Sequence, residues 1–500
     1  MQKSQEDNIW DHLPEQNIAL GACEESSTEG YDKEGDPPQE DLFNAANADV
    51  NFRQLSWQGA AVLIAKLQIG LGALSLPSTF HSLGFFPGIL CFLVLSLMTT
   101  IAGYVSGNAR QYYPQMHSIG DASEIILGKK GREIIGWIYY IYLTLVAGAG
   151  LLTTSVALNA ISDHGTCTTI FVGITAAATL FFGTVFRSLD KVSWLAWVGV
   201  ASIFLAIWIT AIACLTQHTP AAARSSGGGP INLNIHAFPS ADFSTAMSAI
   251  SSQLFAVGAS GTFFSISAEM KQPHLFTRSL LLGQSFIVLT CITIASIIYG
   301  KVGQYLSNPA LGSAGPLIKK VAYGIALPGL FITAILWSHV AAKYWFVRTL
   351  RGTHHLQSNT ARHWVTWVGS MTVTVVIGFI IVEVINFFND FLSLVGALIN
   401  PIFTAIFPGI MILFFLATKP SLYNQTGPND GRTYTIRHWL PLAFKTFKDG
   451  TREKVAVFIA CLMILVGVFI TIGGTYATIL NIKTSYSEGV SAVFSCADNS

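Results

Sequence analysis

Long apolar runs separated by short polar segments dominate the pattern along the chain. Runs of about 20 apolar residues have the length that an α-helix needs to cross a bilayer. The pattern predicts eleven such spans, and therefore an all-α integral membrane protein. The spans cover residues 57–81, 84–107, 133–160, 168–186, 192–215, 243–268, 279–302, 317–347, 363–385, 391–416 and 454–480. For 317–347, an alternative is one span followed by a cytoplasmic turn.

The basic residues between the spans favour one orientation of the chain. With the N-terminus in the cytoplasm, 22 Lys and Arg residues fall in cytoplasmic segments and three fall on the other side. Cytoplasmic loops of membrane proteins carry an excess of Lys and Arg. The N-terminus is therefore predicted inside and the C-terminus outside. The plasma membrane is the favoured location, with the vacuole as an alternative.

Composition argues against other classes of protein. Hydrophobic residues make up 51% of the chain, charged residues 11%, and the mean hydropathy is +0.52, whereas soluble domains are about 25% charged. The net charge of +1 gives no electrostatic basis for binding nucleic acid. The sequence has no P-loop, GxSxG or HExxH motif, and its seven cysteines lack metal-ligand spacing. No enzyme activity, cofactor or metal is therefore predicted.

The first 56 residues differ from the rest of the chain. They hold 13 of the 27 acidic residues and three basic ones, Lys3, Lys33 and Arg53. A polar, charged segment without apolar periodicity cannot bury enough surface to fold, so a disordered cytoplasmic tail is predicted. It has no n-region or h-region, and hence no cleavable signal peptide. Lys3 and Lys33 are candidate acceptors for regulatory ubiquitin machinery.

Glycines interrupt two of the spans. Span 1 contains QIGLGALSLP (68–77), and span 6 reads SSQLFAVGASGTFFSISAEM (251–270). Each is the first in a block of five spans. Transporters built from two inverted repeats break corresponding helices so that freed backbone groups bind substrate. The alternative is close helix packing, for which glycine is also common.

The repeats imply a division of the chain. The predicted segments are a tail (1–56), a first repeat (57–215), an outer loop (216–242), a second repeat (243–416), a cytoplasmic loop (417–453), span 11 (454–480) and an outer tail (481–500).

Three motifs resemble one family of amino acid transporters. GLGALSLPSTFHSLGFFPG (70–88) resembles the first-helix signature of the amino acid/auxin permease family. FAVGASGTFFSISAEMKQP (255–273) resembles its sixth-helix signature, and RSLDKVSWLAWVG (187–199) is similar to fungal neutral amino acid permeases. The resemblance implies a LeuT-type fold of two inverted five-helix repeats, with helices 1 and 6 broken and one helix added. It also implies coupled uptake of amino acids.

The resemblance also implies where substrate binds. The substrate carboxylate is expected on backbone N–H groups of residues 70–73, where a half-helix begins and its dipole favours an anion. The substrate ammonium is expected on carbonyl groups of residues 255–257, with the glycines and serine of 258–261 shaping the side-chain pocket. Phe255 is expected either to gate the substrate or simply to pack. The implied substrate-binding residues are Ile69, Gly70, Leu71, Gly72, Ala73, Phe255, Ala256, Val257, Gly258, Ser260 and Gly261.

One charge lies within a span near the first break. Lys66 precedes Gly70 by about one helical turn, and intramembrane charges are costly and mark functional sites. Lys66 is expected either to titrate with a proton gradient or to act as a fixed cation where related transporters bind sodium. Structural pairing and snorkelling to the surface are the alternatives.

Other coupling candidates lie in spans 6 and 8. Glu269 ends span 6 beside Lys271, which favours a structural pair or a gate over a proton carrier. His339 could titrate near neutral pH, although a packing role is more usual. Thr333 and Ser338 are retained because hydroxyls of the eighth helix supply sodium ligands in sodium-coupled relatives.

Two cysteines are candidates for a disulfide. Cys167 and Cys496 both fall on the predicted outer side, where an oxidising compartment permits disulfides. Cys214, near the outer end of span 5, is a rival partner.

Together these features predict a secondary active transporter of amino acids. Neutral substrates, proton symport and alternating access are favoured, and the expected partners are the amino acid, a proton or sodium ion, and the bilayer. Sodium coupling and vacuolar transport are alternatives. An alternative from another class is an amino acid sensor that signals through the N-terminal tail.

Overall fold

The computed structural model of the protein describes most of the chain from residue 53 onward. The described residues are 53–70, 72–113, 116–185, 189–225, 231–239, 241–356, 358–385, 388–418, 436–448, 450–487, 494 and 496, with backbone alone for 189–193, 224 and 225. The chain divides into a unit of residues 1–40, which lies outside this set, and a unit of residues 41–500. The predicted tail over 1–56, with Lys3 and Lys33, therefore lies outside the described residues except for its last four.

Secondary structure is helical throughout the described residues, apart from one isolated bridge between Leu55 and Met270. The helices are α1 (Trp57–Ile69), α2 (Gly72–Leu83), α3 (Phe85–Tyr112), α4 (Ile119–Ser162), α5 (Thr168–Val185), α6 (Leu189–Thr216), α7 (Ala221–Ser225), α8 (Phe243–Val257), α9 (Phe263–Glu269), α10 (Phe276–Val302), α11 (Pro316–Leu350), α12 (Ala361–Val384), α13 (Phe388–Leu398), α14 (Phe407–Thr418), α15 (Ile436–Lys445) and α16 (Thr451–Ser487).

The predicted spans are confirmed in number and position. Ten helical segments in the described chain are long and apolar enough to cross a membrane, and the bent pair α1 and α2 makes an eleventh. Spans 1 to 11 are, in order, α1–α2, α3, α4, α5, α6, α8–α9, α10, α11, α12, α13–α14 and α16. Because α11 is continuous, the alternative of a turn within 317–347 is wrong.

Both predicted breaks are present, and a third interruption occurs in span 10. In span 1, α1 ends at Ile69 and α2 begins at Gly72, with a bend of 49° between them. In span 6, α8 ends at Val257 and a 3-10 turn over Ser260–Thr262 leads into α9. In span 10, a π-helical turn over Ile402–Ile406 separates α13 from α14.

Local sequence fixes where the broken spans begin. The hydroxyl of Ser56 accepts a hydrogen bond of 3.1 Å from the N–H of Gly59 and so caps α1. The carboxylate of Asp242 accepts bonds from the N–H groups of Ser244 and Thr245 and so caps α8. Such caps satisfy N–H groups that have no partner inside the helix.

The start of span 1 is joined to the end of span 6. The N–H of Leu55 donates to the carbonyl of Glu269 at 3.0 Å, and the N–H of Lys271 donates to the carbonyl of Leu55 at 2.9 Å. We call the side of the bundle where these bonds lie the N-terminal side, and the other the opposite side. The first spans of the two repeats therefore run antiparallel.

A disulfide and a backbone hydrogen bond attach the segment around Phe494 and Cys496 to the opposite side of the bundle. Cys167, which follows span 3, forms a disulfide with Cys496. The N–H of Phe494 donates to the carbonyl of Glu383, at the end of span 9, at 3.2 Å. Cys214, the rival partner, is a free buried cysteine.

Burial separates central from peripheral spans. Within their apolar stretches, 89% of the residues of spans 3 and 6 are buried, against 28% of those of span 11. Apolar side chains on the outside of a membrane bundle face lipid, whereas central helices are buried all round. Span 6, together with α1 and α2, most of whose residues are buried, thus lies in the interior of the bundle.

Candidate substrate and coupling site

The two breaks are in direct backbone contact. A Cβ atom placed on Gly72 would lie 2.2 Å from the Cα of Ala256. A Cβ atom on Gly70 would lie 2.4 Å from the side-chain oxygen of Thr333 in span 8. Real atoms do not approach so closely, so only glycine fits at either position. The glycines of span 1 let the first break pack against spans 6 and 8.

The first break presents the N-terminus of a helix. Gly72 and Ala73 open α2, so their N–H groups have no partner within that helix. Ile69 and Gly70 end α1, and Gly70 keeps helical dihedral angles. All four residues are buried, while Leu71 lies outside the described residues. A buried helix N-terminus with free N–H groups is suited to a carboxylate.

The sixth-span break is held by spans 3 and 10. The hydroxyl of Tyr142 in span 3 donates a hydrogen bond to the carbonyl of Gly258. The side-chain amide of Asn400 in span 10 donates to the carbonyl of Leu254 at 2.9 Å. A Cβ atom on Gly258 would lie 1.7 Å from that amide nitrogen. Carbonyls freed by the break therefore receive side-chain donors, as buried polar groups require.

The remaining pocket residues of span 6 also contact spans 3 and 10. The hydroxyl of Ser260 donates to the carbonyl of Phe403 at 3.0 Å and lies 3.1 Å from the hydroxyl of Thr404. A Cβ atom on Gly261 would lie 2.8 Å from the ring of Tyr139. Ser260 and Gly261 therefore lie on the side of the break that faces these two spans.

Two of the three carbonyl groups expected to meet the substrate ammonium retain acceptor capacity. The carbonyl of Phe255 accepts the N–H of Gly258 at 3.2 Å, and that of Val257 accepts the N–H of Ala259 at 3.1 Å. Each carbonyl oxygen has a second lone pair. The side chain of Phe255 is 8% exposed and packs within the core.

Lys66 makes its hydrogen bonds to span 8. Its ammonium donates to the carbonyl of Gly329 at 2.8 Å and to the hydroxyl of Thr333 at 2.6 Å. The hydroxyl of Thr333 in turn donates to the carbonyl of Gly329 at 2.9 Å. Lys66 is 0% exposed, so its geometry is not that of a snorkelling lysine. Neither partner of the ammonium is a carboxylate.

Span 5 passes close to the aliphatic part of Lys66. A Cβ atom on Gly199 would lie 2.5 Å from the Cε of Lys66. A Cβ atom on Gly329 would lie 2.7 Å from the carbonyl oxygen of Gly199. The two glycines leave the space through which Lys66 reaches span 8.

The other candidates on span 8 differ in their surroundings. Ser338 is fully buried and its hydroxyl has no hydrogen-bond partner among the described residues. The ring of His339 contacts the ring of Trp367 in span 9, with centroids 5.1 Å apart. The structure therefore joins Thr333 to Lys66, whereas His339 faces span 9.

Glu269 forms a buried ion pair on the N-terminal side, but its partner is not the neighbour that the sequence suggested. It pairs with Lys343 in span 8, and the two side chains are 2% and 9% exposed. Lys271 is exposed. The expectation that Lys271 is the partner is wrong, because α9 ends at Glu269 and directs its carboxylate toward span 8.

Further ion pairs connect spans 3 and 8 on the same side. Arg351 pairs with Asp121, and Arg348 pairs with Glu133. His117 is buried beside them. Burial, together with the charges of Arg110, Arg351 and Arg53, holds the pKa of the His117 imidazole far below its usual value.

A cavity of about 340 Å³ opens on the opposite side. Its lining is mainly polar and includes Thr79 of α2 and Ser252 of α8. The side-chain amide of Gln253 donates to the hydroxyl of Thr79 at 3.0 Å. The cavity is thus lined in part by the opposite-side halves of both broken spans.

Four site residues were missed from the sequence: Tyr139, Tyr142, Asn400 and Thr404. The tyrosines lie in IYYIY (138–142), in which the paired rings look like an interfacial aromatic cluster. Asn400 precedes Pro401 inside an apolar run, and a polar residue before proline within a span could have indicated a third interruption.

The geometry defines a class of protein. Two five-span repeats, whose broken first helices run antiparallel and contact each other at Gly72 and Ala256, form a LeuT-type transporter fold. The crystal structure of MhsT in complex with L-phenylalanine shares this fold, with a TM-score of 0.52 and 12% identity, covering 82% of this chain and 98% of that chain.

The chain belongs to the family described as transmembrane amino acid transporter protein, whose model matches residues 53–427. It is 32% identical over 462 residues to a "Transmembrane transporter" of Gibberella moniliformis, covering 92% of this chain and 91% of the relative. It is 30% identical over 459 residues to the "N amino acid transport system protein" of Neurospora crassa, covering 91% and 90%. The protein is therefore a multi-pass integral membrane transporter, and the fold expected from its motifs is confirmed.

Proposed function

We propose that the protein is a secondary active symporter that couples the uptake of neutral amino acids to protons by alternating access. The observation that carries the proposal is the contact of the Lys66 ammonium with Gly329 and Thr333. It links α1, the half of span 1 that precedes the break, to span 8 through a group that can gain and lose a proton.

The protonation of Lys66 provides a means of coupling. A buried lysine can exist as an ammonium or as a neutral amine. The ammonium donates to both span 8 partners at once and so holds α1 against α11. The neutral amine has one fewer proton to donate and attracts the carbonyl of Gly329 more weakly, which favours separation of the two helices. Proton binding would therefore change the balance between two arrangements of span 1.

Sodium coupling is less well supported by this geometry. A sodium ion needs several oxygen ligands, and the hydroxyl of Thr333 is already occupied by the ammonium of Lys66. A second cation beside a buried ammonium would also be repelled. The hydroxyl of Ser338 has no hydrogen-bond partner among the described residues, but it lies further along α11.

A neutral substrate suits the groups around the two breaks. The N-terminus of α2 offers a place for the substrate carboxylate, and the carbonyls of residues 255–257 offer a place for the ammonium. The side chains that hydrogen-bond at the sixth-span break, Tyr142, Asn400 and Ser260, are neutral. Among the described residues around the two breaks, no carboxylate favours a cationic substrate. The relative from Neurospora crassa is named for amino acid transport, which supports an amino acid as the substrate.

We infer that the described state is closed on the N-terminal side. The pair of Glu269 with Lys343 and the backbone bonds of Leu55 join spans 1, 6 and 8 there. The cavity on the opposite side is about 340 Å³, against about 60 Å³ for the pocket lined by Glu269 and Lys343 on the N-terminal side. With the N-terminus in the cytoplasm, as the distribution of Lys and Arg favours, substrate would enter that cavity from outside. Breaking the Glu269 contacts would then be required for release.

The proposal is tested by uptake of a labelled mixture of neutral amino acids into proteoliposomes. One set carries an inward proton gradient without sodium, and the other carries an inward sodium gradient at equal pH. Accumulation with protons alone is expected. Accumulation with sodium alone would overturn proton coupling and direct attention to Thr333 and Ser338. Binding without accumulation under either gradient would overturn transport itself and favour a sensor.

A further inference from the structure

Five exposed cations from two separate segments form a basic surface on the N-terminal side. We call Lys129, Lys130, Arg437, Lys445 and Lys448 the basic surface. The first two lie in α4, and the others lie in α15 and the 3-10 turn that follows it. None of the five forms an ion pair with another described residue. Their charges are therefore available to an external anion.

A buried tryptophan holds the two segments together. The indole N–H of Trp439 in α15 donates to the carbonyl of Ile126 at 3.1 Å, three residues before Lys129. Its ring contacts Phe414 of α14, with centroids 5.5 Å apart. Gly128 adopts a φ of 78° and bends α4 at this point. That bend separates residues 119–127 from the spanning part of the helix, and Lys129 and Lys130 follow it directly.

The face of α15 away from the protein is not simply polar. Trp439 and Ala443 are buried against the bundle, whereas Leu442, Phe444 and Phe447 are each 48% exposed. Exposing large apolar side chains to water costs free energy. Three of them on one short helix therefore indicate a face that contacts something other than water. Apolar side chains interleaved with basic ones are typical of a helix that lies in the plane of a membrane interface.

The local charge is predominantly positive. Residues 436–454 contain five Lys and Arg residues against two acidic residues, in a chain whose net charge is only +1. The segment lies between spans 10 and 11, so the bilayer surface is the surface nearest to it. A basic, partly apolar helix held at that level matches the phosphate-bearing headgroups and upper acyl chains of a leaflet.

We propose that the basic surface binds the headgroups of anionic phospholipids in the leaflet on the N-terminal side. The inference rests on the orientation proposed above only for the identity of the leaflet. With the N-terminus in the cytoplasm, the basic surface faces the cytoplasmic leaflet, where anionic lipids are concentrated. Lysine and arginine side chains contact the phosphates, and Leu442, Phe444 and Phe447 enter the acyl region. The basic surface thus recognises the headgroup of a membrane lipid and not a soluble anion.

The basic surface is connected through neighbouring helices to the residues that hold the break in span 6. α15 contacts span 10 through Phe414 and, through Ile126, the segment of α4 that leads across the bend into span 3. Asn400 of span 10 and Tyr142 of span 3 hold the break in span 6. Bound lipid would therefore restrain the two spans that hold that break.

The test is to measure, by native mass spectrometry, how tightly the full chain in detergent binds lipid. The protein is titrated with phosphatidylserine or with phosphatidylcholine of the same acyl chains. Phosphatidylserine is expected to bind more tightly. Replacing both Lys445→Gln and Lys448→Gln is expected to weaken its binding about 25-fold, about fivefold for each lysine. The matched control, Lys301→Gln with Lys483→Gln, removes two exposed lysines from the opposite side and is expected to leave binding unchanged.

Two further outcomes keep the proposal falsifiable. Lys445→Arg with Lys448→Arg retains the charge and is expected to bind normally, which separates charge from a folding defect. Equal binding of the two lipids, or equal losses in the test and control variants, would overturn the proposal. So would displacement of phosphatidylserine by inorganic phosphate beyond that caused by chloride of the same ionic strength, since it would indicate a soluble anion. None of these readouts depends on uptake, so failure here is distinguishable from failure of proton coupling.

Discussion

The ammonium of Lys66 lies 2.6 Å from the hydroxyl of Thr333, across the boundary between the two repeats. The residues are 267 positions apart, and the contact joins the broken first span to an unbroken span of the other repeat. A second bond holds the ammonium to the carbonyl of Gly329, one turn away in the same helix. The charge nearest the first break is therefore held by neutral oxygen atoms.

Replacing Lys66→Met should abolish proton-driven accumulation while leaving the fold intact. Methionine retains much of the aliphatic volume, but it cannot bind a proton or donate to span 8. We expect accumulation under a proton gradient to fall about tenfold or more, equivalent to at least about 1.4 kcal/mol. Exchange of labelled for unlabelled substrate without a gradient should persist. Accumulation equal to that of the unaltered protein would contradict the coupling role.

The narrow passage beside Lys66 can be tested without altering any charge. In Gly199→Ala the new Cβ would lie 2.5 Å from the Cε of Lys66, so the lysine must shift. Overpacking of this kind costs about 1–3 kcal/mol, and we expect proton-coupled uptake to fall about tenfold. Gly173→Ala is the matched control, because a Cβ there meets no atom within 4 Å. Equal uptake by the two variants would show that Lys66 can shift to accommodate the added methyl group without loss of coupling.

Gly72→Ala should be far more damaging than an alanine elsewhere in a span. The Cβ would lie 2.2 Å from the Cα of Ala256, a backbone atom that cannot rotate away. The two breaks must then separate, and a misplacement of about 1 Å at a reacting site can cost about 100-fold in rate. Substrate binding and uptake are the measurements. Gly324→Ala, whose Cβ meets no atom within 4 Å, should retain both.

The buried pair of Glu269 and Lys343 should show strong coupling in a double-mutant cycle. Removing one partner leaves a charge in a buried site, which costs about 3–5 kcal/mol. Glu269→Gln and Lys343→Met should each lower the thermal stability of the detergent-solubilised protein. The double variant should be more stable than either single variant, because neither charge remains. Additive losses would show that the two side chains are energetically independent.

His117 should make the protein sensitive to mild acid. Its folded pKa is held far below the usual value by burial and by Arg110, Arg351 and Arg53, while the unfolded chain takes up a proton near about pH 6.5. The unfolded state therefore binds more protons, so stability contributed by the neutral imidazole is present above about pH 6.5 and lost as pH falls below it. The expected slope is about 1.4 kcal/mol per pH unit.

The acid sensitivity can be assigned with one substitution. His117→Gln keeps a polar side chain but cannot take up a proton at these pH values. Thermal unfolding of the two proteins should be compared near about pH 5.5 and near about pH 7.5. The difference between the two pH values should be smaller in the variant. An unchanged difference would assign the sensitivity to other groups.

Much of the architecture could be predicted because lipid imposes simple rules on sequence. The eleven spans follow from apolar length, and the breaks follow from glycines at equivalent positions of two repeats. Gly70 and Gly258 were therefore identified without knowledge of their neighbours. Cys167 and Cys496 could be paired as candidates because orientation placed both on one side.

Contacts between distant spans could not be predicted in the same way. Lys66 was conspicuous as a charge in a span, but no local pattern connects it to Gly329 or Thr333. Glu269 was assigned to Lys271, its neighbour in sequence, because nothing local indicates Lys343. Tyr142 and Asn400 were missed because their polar groups serve carbonyls that only a broken helix exposes.

The disulfide between Cys167 and Cys496 turns most of the transporter into a closed loop of polypeptide. The two cysteines are 329 positions apart, and spans 4 to 11 all lie between them. A protease that cuts one connection within this loop opens the ring but releases no fragment. Two cuts, or one cut and a reductant, are needed to detach any of these spans. The disulfide at Cys496 thus links the segment after span 11 covalently to the segment after span 3.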